Sequence, residues 1–204
     1  SNENGGKGLL LGGIAGVSAT EVLILGAGIA GSAAARTAMA LGAQVKIFDH
    51  DINKLRKLQQ QLGQHVFTSV IHPRVLFKAL AGADAVIGTL RYINGSERFM
   101  ISEDLVRTMK KGSVIIDLSV DQGGCFETTH PTTHTDPVYE VDGVLHYCVA
   151  NIPGAVPMTS TRALTNATLP YVIKLAELGW KEACRKYQDL RFGLNVVDGK
   201  IVFK

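Results

Sequence analysis

The chain has 204 residues, of which 46% are hydrophobic and 19% are charged, a balance typical of a folded globular protein and not of a disordered segment. Its 21 basic and 18 acidic residues leave a formal net charge of +3, which is too small to indicate a nucleic acid or a membrane surface as partner. Three cysteines make a disulfide framework improbable and favour a reducing, cytoplasmic compartment.

The first apolar stretch, residues 8–31, predicts neither a membrane span nor a signal peptide. A span needs about 20 predominantly apolar residues, and Glu21 would lie in its middle. A signal peptide would need a small-residue cleavage site, which is absent from this stretch, and a strand pattern begins at Val22 instead.

Short apolar strands alternate with helical segments from residue 21 to residue 149. This order predicts an α/β fold with a doubly wound parallel sheet of the Rossmann type. The predicted strands cover residues 21–25, 44–49, 65–69, 85–88, 113–117 and 144–149. The predicted helices cover residues 28–42, 51–62 with Asp51 as N-cap, 73–80, and 102–109 with Ser102 as N-cap. Residues 119–137 are predicted to be a long loop.

The C-terminal part has a different pattern. Residues 159–187 are predicted to be mostly helical, with a kink or break at Pro170. Asp198-Gly199 lies between two apolar runs and predicts a β-hairpin. We therefore expect a nucleotide-binding domain at residues 1–158 and C-terminal helices with a hairpin at residues 159–204.

A glycine-rich motif follows the first strand and opens the first helix, which is the context in which such a motif binds a dinucleotide. The glycines would allow a tight turn and a close approach of the backbone to a pyrophosphate, which the start of the helix would attract. The residues of this predicted cofactor loop are Gly26, Ala27, Gly28, Ile29, Ala30 and Gly31.

Asp49 ends the second strand, 18 residues after Gly31. A carboxylate at this point can accept hydrogen bonds from the adenosine ribose and would repel a 2′-phosphate, so NAD is favoured over NADP. His50 and Lys54 are nearby cations that could weaken this preference. Lys54 could reach the adenosine, although it also fits a solvated helix position.

Ligands of open α/β sheets bind outside the carboxyl ends of the strands. Leu90 follows the fourth strand, Asp121 follows the fifth, and the segment of Val149, Asn151 and Ile152 follows the sixth. Asp121 precedes two glycines and could accept a proton or orient a water molecule. An aspartate that caps its own turn fits the same spacing, and both interpretations are open at this point.

Two further groups have weaker claims to a function. Cys125 has no histidine or asparagine fixed beside it, so we interpret it as a structural thiol. His130 and His134 have a plausible ligand spacing, but Pro131 interrupts a regular helix and no cysteine or carboxylate pattern completes the set. No metal site is predicted.

Several motifs occur together: DLSVDQGGCFE at residues 117–127, PTT at 131–133 and YCVANIP at 147–153, in addition to the glycine loop. With them the chain resembles the alanine dehydrogenase family, which includes the NAD-binding part of proton-translocating transhydrogenase. The resemblance implies that Asp121 is an active-site aspartate beside the nicotinamide.

The same resemblance implies cofactor contacts for Lys54 near the adenosine and for Leu90 along the cofactor. It also implies that Val149, Asn151 and Ile152 flank the nicotinamide. Ile152 occupies a position that is often methionine in the family. Ile71 lies near the place of a polar adenosine contact, so that contact is not expected here.

The function that the resemblance implies is that of the NAD-binding domain of an L-alanine dehydrogenase, which converts L-alanine to pyruvate and ammonia. Family members carry a substrate domain ahead of this one. We expect that domain to be absent before Ser1, the C-terminal helices to pack on it, and the isolated fragment to be inactive. The expected partners are the small-molecule substrate of the full-length enzyme and further copies of the chain in a homo-oligomer.

Other functions remain compatible with the sequence. One is the NAD-binding portion of a transhydrogenase alpha subunit, and another is a noncatalytic NAD-binding module. A related amino-acid dehydrogenase with a different substrate is the third.

Overall fold

The computed structural model describes residues 5–63, 66–90 and 101–202. The chain forms two compact units that divide between Ile152 and Pro153. The first unit contains a seven-stranded sheet, and the second contains helices and a small hairpin. The assignment of residues 159–204 to a catalytic domain stays a prediction.

The sheet of the first unit has the order β3-β2-β1-β4-β5-β7-β6, and every neighbouring pair is parallel except β6 with β7. The predicted doubly wound α/β fold is therefore confirmed. The strands are β1 (Glu21–Leu25), β2 (Gln44–Asp49), β3 (Phe67–Val70), β4 (Ala85–Gly88), β5 (Val114–Asp117), β6 (Val138–Val141) and β7 (Val144–Tyr147). The helices of this unit are α1 (Ile29–Ala40), α2 (Ile52–Leu62), α3 (Pro73–Gly82) and α4 (Glu103–Val106).

Both faces of the sheet are buried, which explains the continuous apolar runs of its central strands. In β1, Val22 and Ile24 join a core with residues of α1 and α2, whereas Leu23 and Leu25 join a core with residues of α3. Ala35 and Ala38 keep the buried side of α1 small, so that the helix lies close to the sheet.

The second helix begins and ends as its sequence predicts. The Asp51 side chain accepts a hydrogen bond from the Asn53 backbone N–H at 2.8 Å, which confirms it as the N-cap. Gly63 follows the helix in the left-handed conformation, with a φ of 62°. The third strand begins at Phe67, and His65 of the predicted strand lies outside the described residues.

The prediction for residues 102–109 is partly wrong. Only Glu103–Val106 is α-helical, and Ser102 makes no side-chain capping bond in the described structure. The Glu103 N–H is instead bound by the carboxylate of Glu127 at 2.9 Å. A carboxylate from a distant loop has thus taken the place of the expected local cap.

The loop predicted at residues 119–137 is present, but the strand β6 that follows it was not predicted. It pairs with β7 through a turn in which Asp142 and Gly143 both have positive φ angles, 53° and 82°. This is the backbone requirement that Asp-Gly pairs satisfy in two-residue hairpins.

The second unit consists of α5 (Pro157–Lys186), α6 (Gln188–Phe192) and the hairpin of β8 (Val196–Val197) with β9 (Lys200–Ile201). Of the kink or break predicted at Pro170, the break is wrong, because the helix continues through Pro170 and the residue of α5 with non-helical angles is Gly179, with a φ of 69° and a ψ of 160°. A residue without Cβ adopts this conformation at low cost. Across the described ranges, no helix is both long and apolar enough to cross a membrane.

Candidate nucleotide site

The predicted site residues follow strands whose carboxyl ends lie along one edge of the sheet. The glycine loop follows β1, Asp49 ends β2, Leu90 follows β4, Asp121 follows β5 and the segment around Asn151 follows β7. Because β1 lies between β2 and β4, the chain reverses its winding direction at the glycine loop. Ligands of this fold class bind at such a reversal point.

Two of the three loop glycines are required by close packing inside the protein. A Cβ on Gly26 would lie 2.4 Å from the Thr89 hydroxyl oxygen, and the φ of Gly26 is +109°. A Cβ on Gly31 would lie 1.8 Å from the carbonyl oxygen of Gly26. Gly31 therefore lets the helix begin directly against the loop.

Gly28 has a different environment, since a Cβ there would meet no atom within 4 Å and its φ of −76° suits any residue. The side chains of the next two residues are also exposed, and Ile29 is 95% exposed. No side chain of the described structure caps α1, so the N–H groups of its first turn are left for another acceptor. Space, backbone donors and the positive helix end thus coincide at Gly28, as a pyrophosphate requires.

Asp49 is only 4% exposed, and its carboxylate is held by the backbone. One oxygen accepts a hydrogen bond from the Ala27 N–H at 2.7 Å, and the other accepts one from the Asp51 N–H at 2.8 Å. The carboxylate thus fixes the glycine loop to the end of β2. Two carboxylate oxygens offer about four acceptor positions, so capacity for a ribose hydroxyl remains.

The outer part of the predicted adenosine region is exposed. His50 and Lys54 both lie at the surface, after β2 and on α2 respectively. Leu90 is half-buried and packs against the core below the sheet edge, and its carbonyl oxygen lies 3.6 Å from the Cys125 sulfur. Ile71 is also half-buried against this core.

Thr89 was not predicted as a site residue, although it supports the glycine loop directly. Its buried hydroxyl donates to the carbonyl oxygens of Leu25 at 2.8 Å and Gly26 at 3.2 Å. The only signal in the sequence is its position after Gly88 at the end of a buried strand.

Asp121 lies in a short 3₁₀ turn, Val120–Gln122, and is exposed. It lies at the edge of the sheet formed by the carboxyl ends of the parallel strands, which we call the ligand edge. Gly123 and Gly124 follow with φ angles of 98° and 76°. Within the described parts of the chain, the Asp121 carboxylate makes no hydrogen bond, so the turn is not capped by its own aspartate.

The residue that does bind this turn is Asp117, the last residue of β5, which was not predicted as a site residue. It is completely buried, and its carboxylate accepts hydrogen bonds from the Ser119 N–H at 2.9 Å and the Cys125 N–H at 2.7 Å. The Thr129 hydroxyl donates to it at 2.9 Å. An acidic residue at the end of a buried strand, as at Asp49, was the signal for it.

The segment after β7 is attached to the long loop. Thr132 pairs with Val149, and the Thr132 N–H donates to the carbonyl oxygen of Cys148 at 2.9 Å. The His134 ring nitrogen lies 2.7 Å from the carbonyl oxygen of Asn151. The Val149 side chain is buried, whereas Asn151 is exposed beside the half-buried Ile152.

The buried thiols have a structural environment. Burial, with a contribution from the Asp117 charge, raises the pKa of Cys125 to about 12, and burial raises the pKa of Cys148 to about 11. The three cysteines form no disulfide. Cys125 is therefore protonated at neutral pH and is not an activated nucleophile.

The histidines of the long loop and of β7 contact other protein groups. His146 is buried between the Thr128 hydroxyl and the Val144 carbonyl oxygen, and burial lowers its pKa. The Tyr139 ring stacks with the rings of both His130 and His146, with centroid distances of 3.9 and 5.0 Å. Among the described residues, no three His, Cys, Asp or Glu side chains form a cluster that could hold a metal ion.

Comparison with known proteins connects this geometry to a family. The model of the family "Alanine dehydrogenase/PNT, C-terminal domain" matches residues 1–204. The chain belongs to this family. Its dehydrogenase members imply a nicotinamide cofactor, which agrees with a glycine loop at the winding reversal.

Individual relatives agree with the assignment. Alanine dehydrogenases from Mycolicibacterium smegmatis and Geobacillus stearothermophilus are 46% and 45% identical to the chain, and the alignments cover 97% and 98% of it. A solved L-alanine dehydrogenase is 47% identical over 99% of the chain, with a TM-score of 0.92. A transhydrogenase from Sinorhizobium meliloti is 24% identical, with a TM-score of 0.74, and shares the fold.

These alignments cover 53% and 54% of the two alanine dehydrogenases and 56% of the solved chain. The chain therefore spans about half the length of the curated relatives it matches.

The contrast between two loop glycines leads to a prediction. Gly31→Ala should destabilise the protein by about 3 kcal/mol, because the added Cβ overlaps the Gly26 carbonyl oxygen. Gly28→Ala should cost less than about 1 kcal/mol, because the added Cβ meets open space. Urea unfolding measures both changes. Gly28→Ala should nevertheless weaken dinucleotide binding at least about tenfold in calorimetric titration. Equal stability losses for the two variants would contradict this assignment of roles.

A second prediction concerns the thiols. At pH 8, iodoacetamide should label Cys184, which is half-buried, at least about ten times faster than Cys125 or Cys148, whose raised pKa values keep them protonated. Raising the pH towards 11, which increases the thiolate fraction of Cys125 and Cys148, should speed their labelling. Unfolding the chain in urea should do the same, because it removes their burial. Mass spectrometry of the labelled peptides gives the three rates. Rapid labelling of native Cys125 at pH 8 would contradict the structure.

Proposed function

We propose that the chain is the NAD-binding half of an L-alanine dehydrogenase that oxidises L-alanine to pyruvate and ammonia. The observation that carries the proposal is one edge of the sheet, where the open backbone at Gly28, the buried Asp49 carboxylate and the exposed Asp121 carboxylate all lie at the carboxyl ends of parallel strands. Relatives named alanine dehydrogenase, 45% to 46% identical over nearly the whole chain, support the choice of reaction.

The residues of this edge fit NAD. The backbone of Gly28, Ile29 and Ala30 would bind the pyrophosphate, because it is exposed and begins a helix without a side-chain cap. Asp49 would accept hydrogen bonds from the adenosine ribose with the acceptor positions that Ala27 and Asp51 leave open. A 2′-phosphate would bring a second negative charge beside this carboxylate, so NAD is favoured over NADP.

The other half of the cofactor would lie along the ends of β4, β5 and β7. The backbone of Leu90 would contact the ribose of this half. The segment that flanks the nicotinamide would be formed by Val149, Asn151 and Ile152. The bound nicotinamide supplies the hydride acceptor for alanine oxidation. The protein therefore has to hold the substrate near this ring and to manage the protons.

Asp121 is the residue of this chain that would manage protons. Its carboxylate is exposed at the ligand edge and has no hydrogen-bond partner in the described structure, so it is available to a substrate or a water molecule. A carboxylate there can accept the proton of a water that attacks the imine formed from alanine, or can orient that water. The groups that bind the substrate carboxylate would come from the other half of the protein.

The transhydrogenase alternative has weaker support, because the solved transhydrogenase shares the fold at 24% identity. A noncatalytic module would leave the exposed carboxylate of Asp121 without a role. The choice of alanine over another amino acid rests on the relatives.

Two wider predictions accompany this function. Three free thiols fit the reducing cytoplasm. The exposed apolar side chains of α5 fit burial against the rest of the protein or a second copy in a homo-oligomer; they include Met158, Leu164, Leu169, Val172 and Trp180.

Cofactor choice can be tested by calorimetric titration of the chain. NAD should bind at least about tenfold more tightly than NADP, because the Asp49 carboxylate disfavours a second anion at the ribose. Equal affinities, or binding of neither nucleotide, would contradict the cofactor assignment.

The catalytic role is tested with the complete protein that contains this chain. Asp121→Asn should lower kcat for alanine oxidation at least about 100-fold, because the amide cannot accept a proton. NAD affinity should change little. Asp142→Asn is the control, since it makes the same charge change in the turn at the opposite end of the sheet, where asparagine also suits the positive φ. It removes an exposed ion pair with Arg107 as well, which contributes little to stability. An Asp121→Asn variant with full alanine oxidation would reject the role.

A further inference from the structure

The loop that carries Asp121 is closed on one buried carboxylate. Asp117 accepts the Ser119 N–H through one oxygen and the Cys125 N–H through the other, at 2.9 and 2.7 Å. These two amides stand at the beginning and the end of the segment that contains Asp121. One side chain therefore holds both ends of the loop.

The segment between the two amides is short and internally bonded. The Gln122 and Gly124 N–H groups both donate to the Ser119 carbonyl oxygen at 2.9 Å, and the Gly123 N–H donates to that of Val120 at 3.1 Å. With its ends held and its backbone bonded, the turn has little freedom to move the Asp121 carboxylate.

The long loop contributes a third donor. The Thr129 hydroxyl can donate to the Asp117 oxygen that accepts the Cys125 N–H, at 2.9 Å, and shares its one proton with the Phe126 carbonyl oxygen, also at 2.9 Å. Gly124 is required beside this contact, because a Cβ there would lie 2.4 Å from the Thr129 hydroxyl oxygen and 2.9 Å from the Asp117 carboxylate, and its φ is +76°.

A carboxylate suits this position better than any neutral side chain. Three donors converge on it, and a carboxylate has two accepting oxygens and no proton to donate. An asparagine has the same shape but only one accepting oxygen, and its NH₂ group would face an N–H donor. A buried N–H would then lose its partner, which costs more than the bond itself contributes.

We infer that Asp117 is a positioning residue, which with Thr129 fixes the turn so that the Asp121 carboxylate is presented at the ligand edge. The inference rests on the proposed function, since it assigns to Asp117 a role in the reaction through Asp121. Asp117 is completely buried and does not itself reach a substrate.

The test uses the complete protein and a double-mutant cycle. Asp117→Asn should lower kcat for alanine oxidation about 10- to 100-fold, the effect of a reacting group displaced by about 1 Å. In an Asp121→Asn background the same change should lower kcat less than about threefold further, because the group it positions is already gone. NAD affinity should stay within about threefold, because the glycine loop is held by Asp49 instead.

A second readout needs no activity. Hydrogen exchange of the peptide covering residues 118–125 should be at least about tenfold faster in Asp117→Asn than in the wild type, while the peptide covering the glycine loop is unchanged. Thr129→Val should show a smaller effect in both measurements, and Thr129→Ser, which keeps the hydroxyl, should resemble the wild type. This pair decides the question if Asp117→Asn does not fold.

The outcomes separate the two levels of the proposal. Wild-type protein without alanine oxidation rejects the proposed function, and an Asp121→Asn variant with full alanine oxidation rejects the role of Asp121 on which the positioning role of Asp117 rests. With that function intact, a wild-type kcat in Asp117→Asn would overturn the positioning role. So would a double variant in which the kcat losses of Asp117→Asn and Asp121→Asn multiply. If Asp117→Asn does not fold, equal kcat values for Thr129→Val and Thr129→Ser would overturn it.

Discussion

Two buried aspartates at the ends of strands hold the two loops of the ligand edge. Asp49 ends β2 and accepts a hydrogen bond from the Ala27 N–H, while Asp117 ends β5 and accepts one from the Cys125 N–H. Each aspartate also accepts a hydrogen bond from the N–H of the residue two positions after it. A buried carboxylate is stable only when hydrogen bonds replace its hydration. Each aspartate is therefore stable only when its loop has this conformation, and each loop is held in this conformation by its aspartate.

This arrangement divides the loop residues into those that face the protein and those that face outward. Gly26, Gly31 and Gly124 lie where any Cβ would overlap a neighbouring atom, whereas Gly28 borders open space. The first three glycines let the chain pack against itself, whereas Gly28 leaves space for a ligand. The exposed Ile29 and Asp121 flank the same open edge.

The sequence predicted the fold well because its information is local. Apolar runs identify buried strands, and Asp51 and the Asp198-Gly199 pair determine a cap and a turn through neighbouring residues alone. The errors arose where distant groups or competing signals determine the local structure. Glu127 binds the first N–H of α4 in place of Ser102, and the interruption of α5 lies at Gly179 and not at Pro170. The Asp142-Gly143 pair carried the same hairpin signal as the one at residue 198, but it follows a long loop, and β6 was missed.

At the site, motif spacing identified residues that face outward and missed those that hold them. Asp121 stands out in sequence because two glycines follow it, whereas the partners of Asp117 are up to 12 residues away and only the folded loop brings them together. Thr89 was missed for the same reason, since its hydroxyl binds carbonyl oxygens more than 60 residues earlier in the chain. Even Asp49, which its spacing predicts to bind a ribose, accepts hydrogen bonds from the protein backbone in this structure. A spacing rule can record that a carboxylate is needed at a strand end, but whether its oxygens serve the loop, the ligand or both depends on contacts that form only in three dimensions.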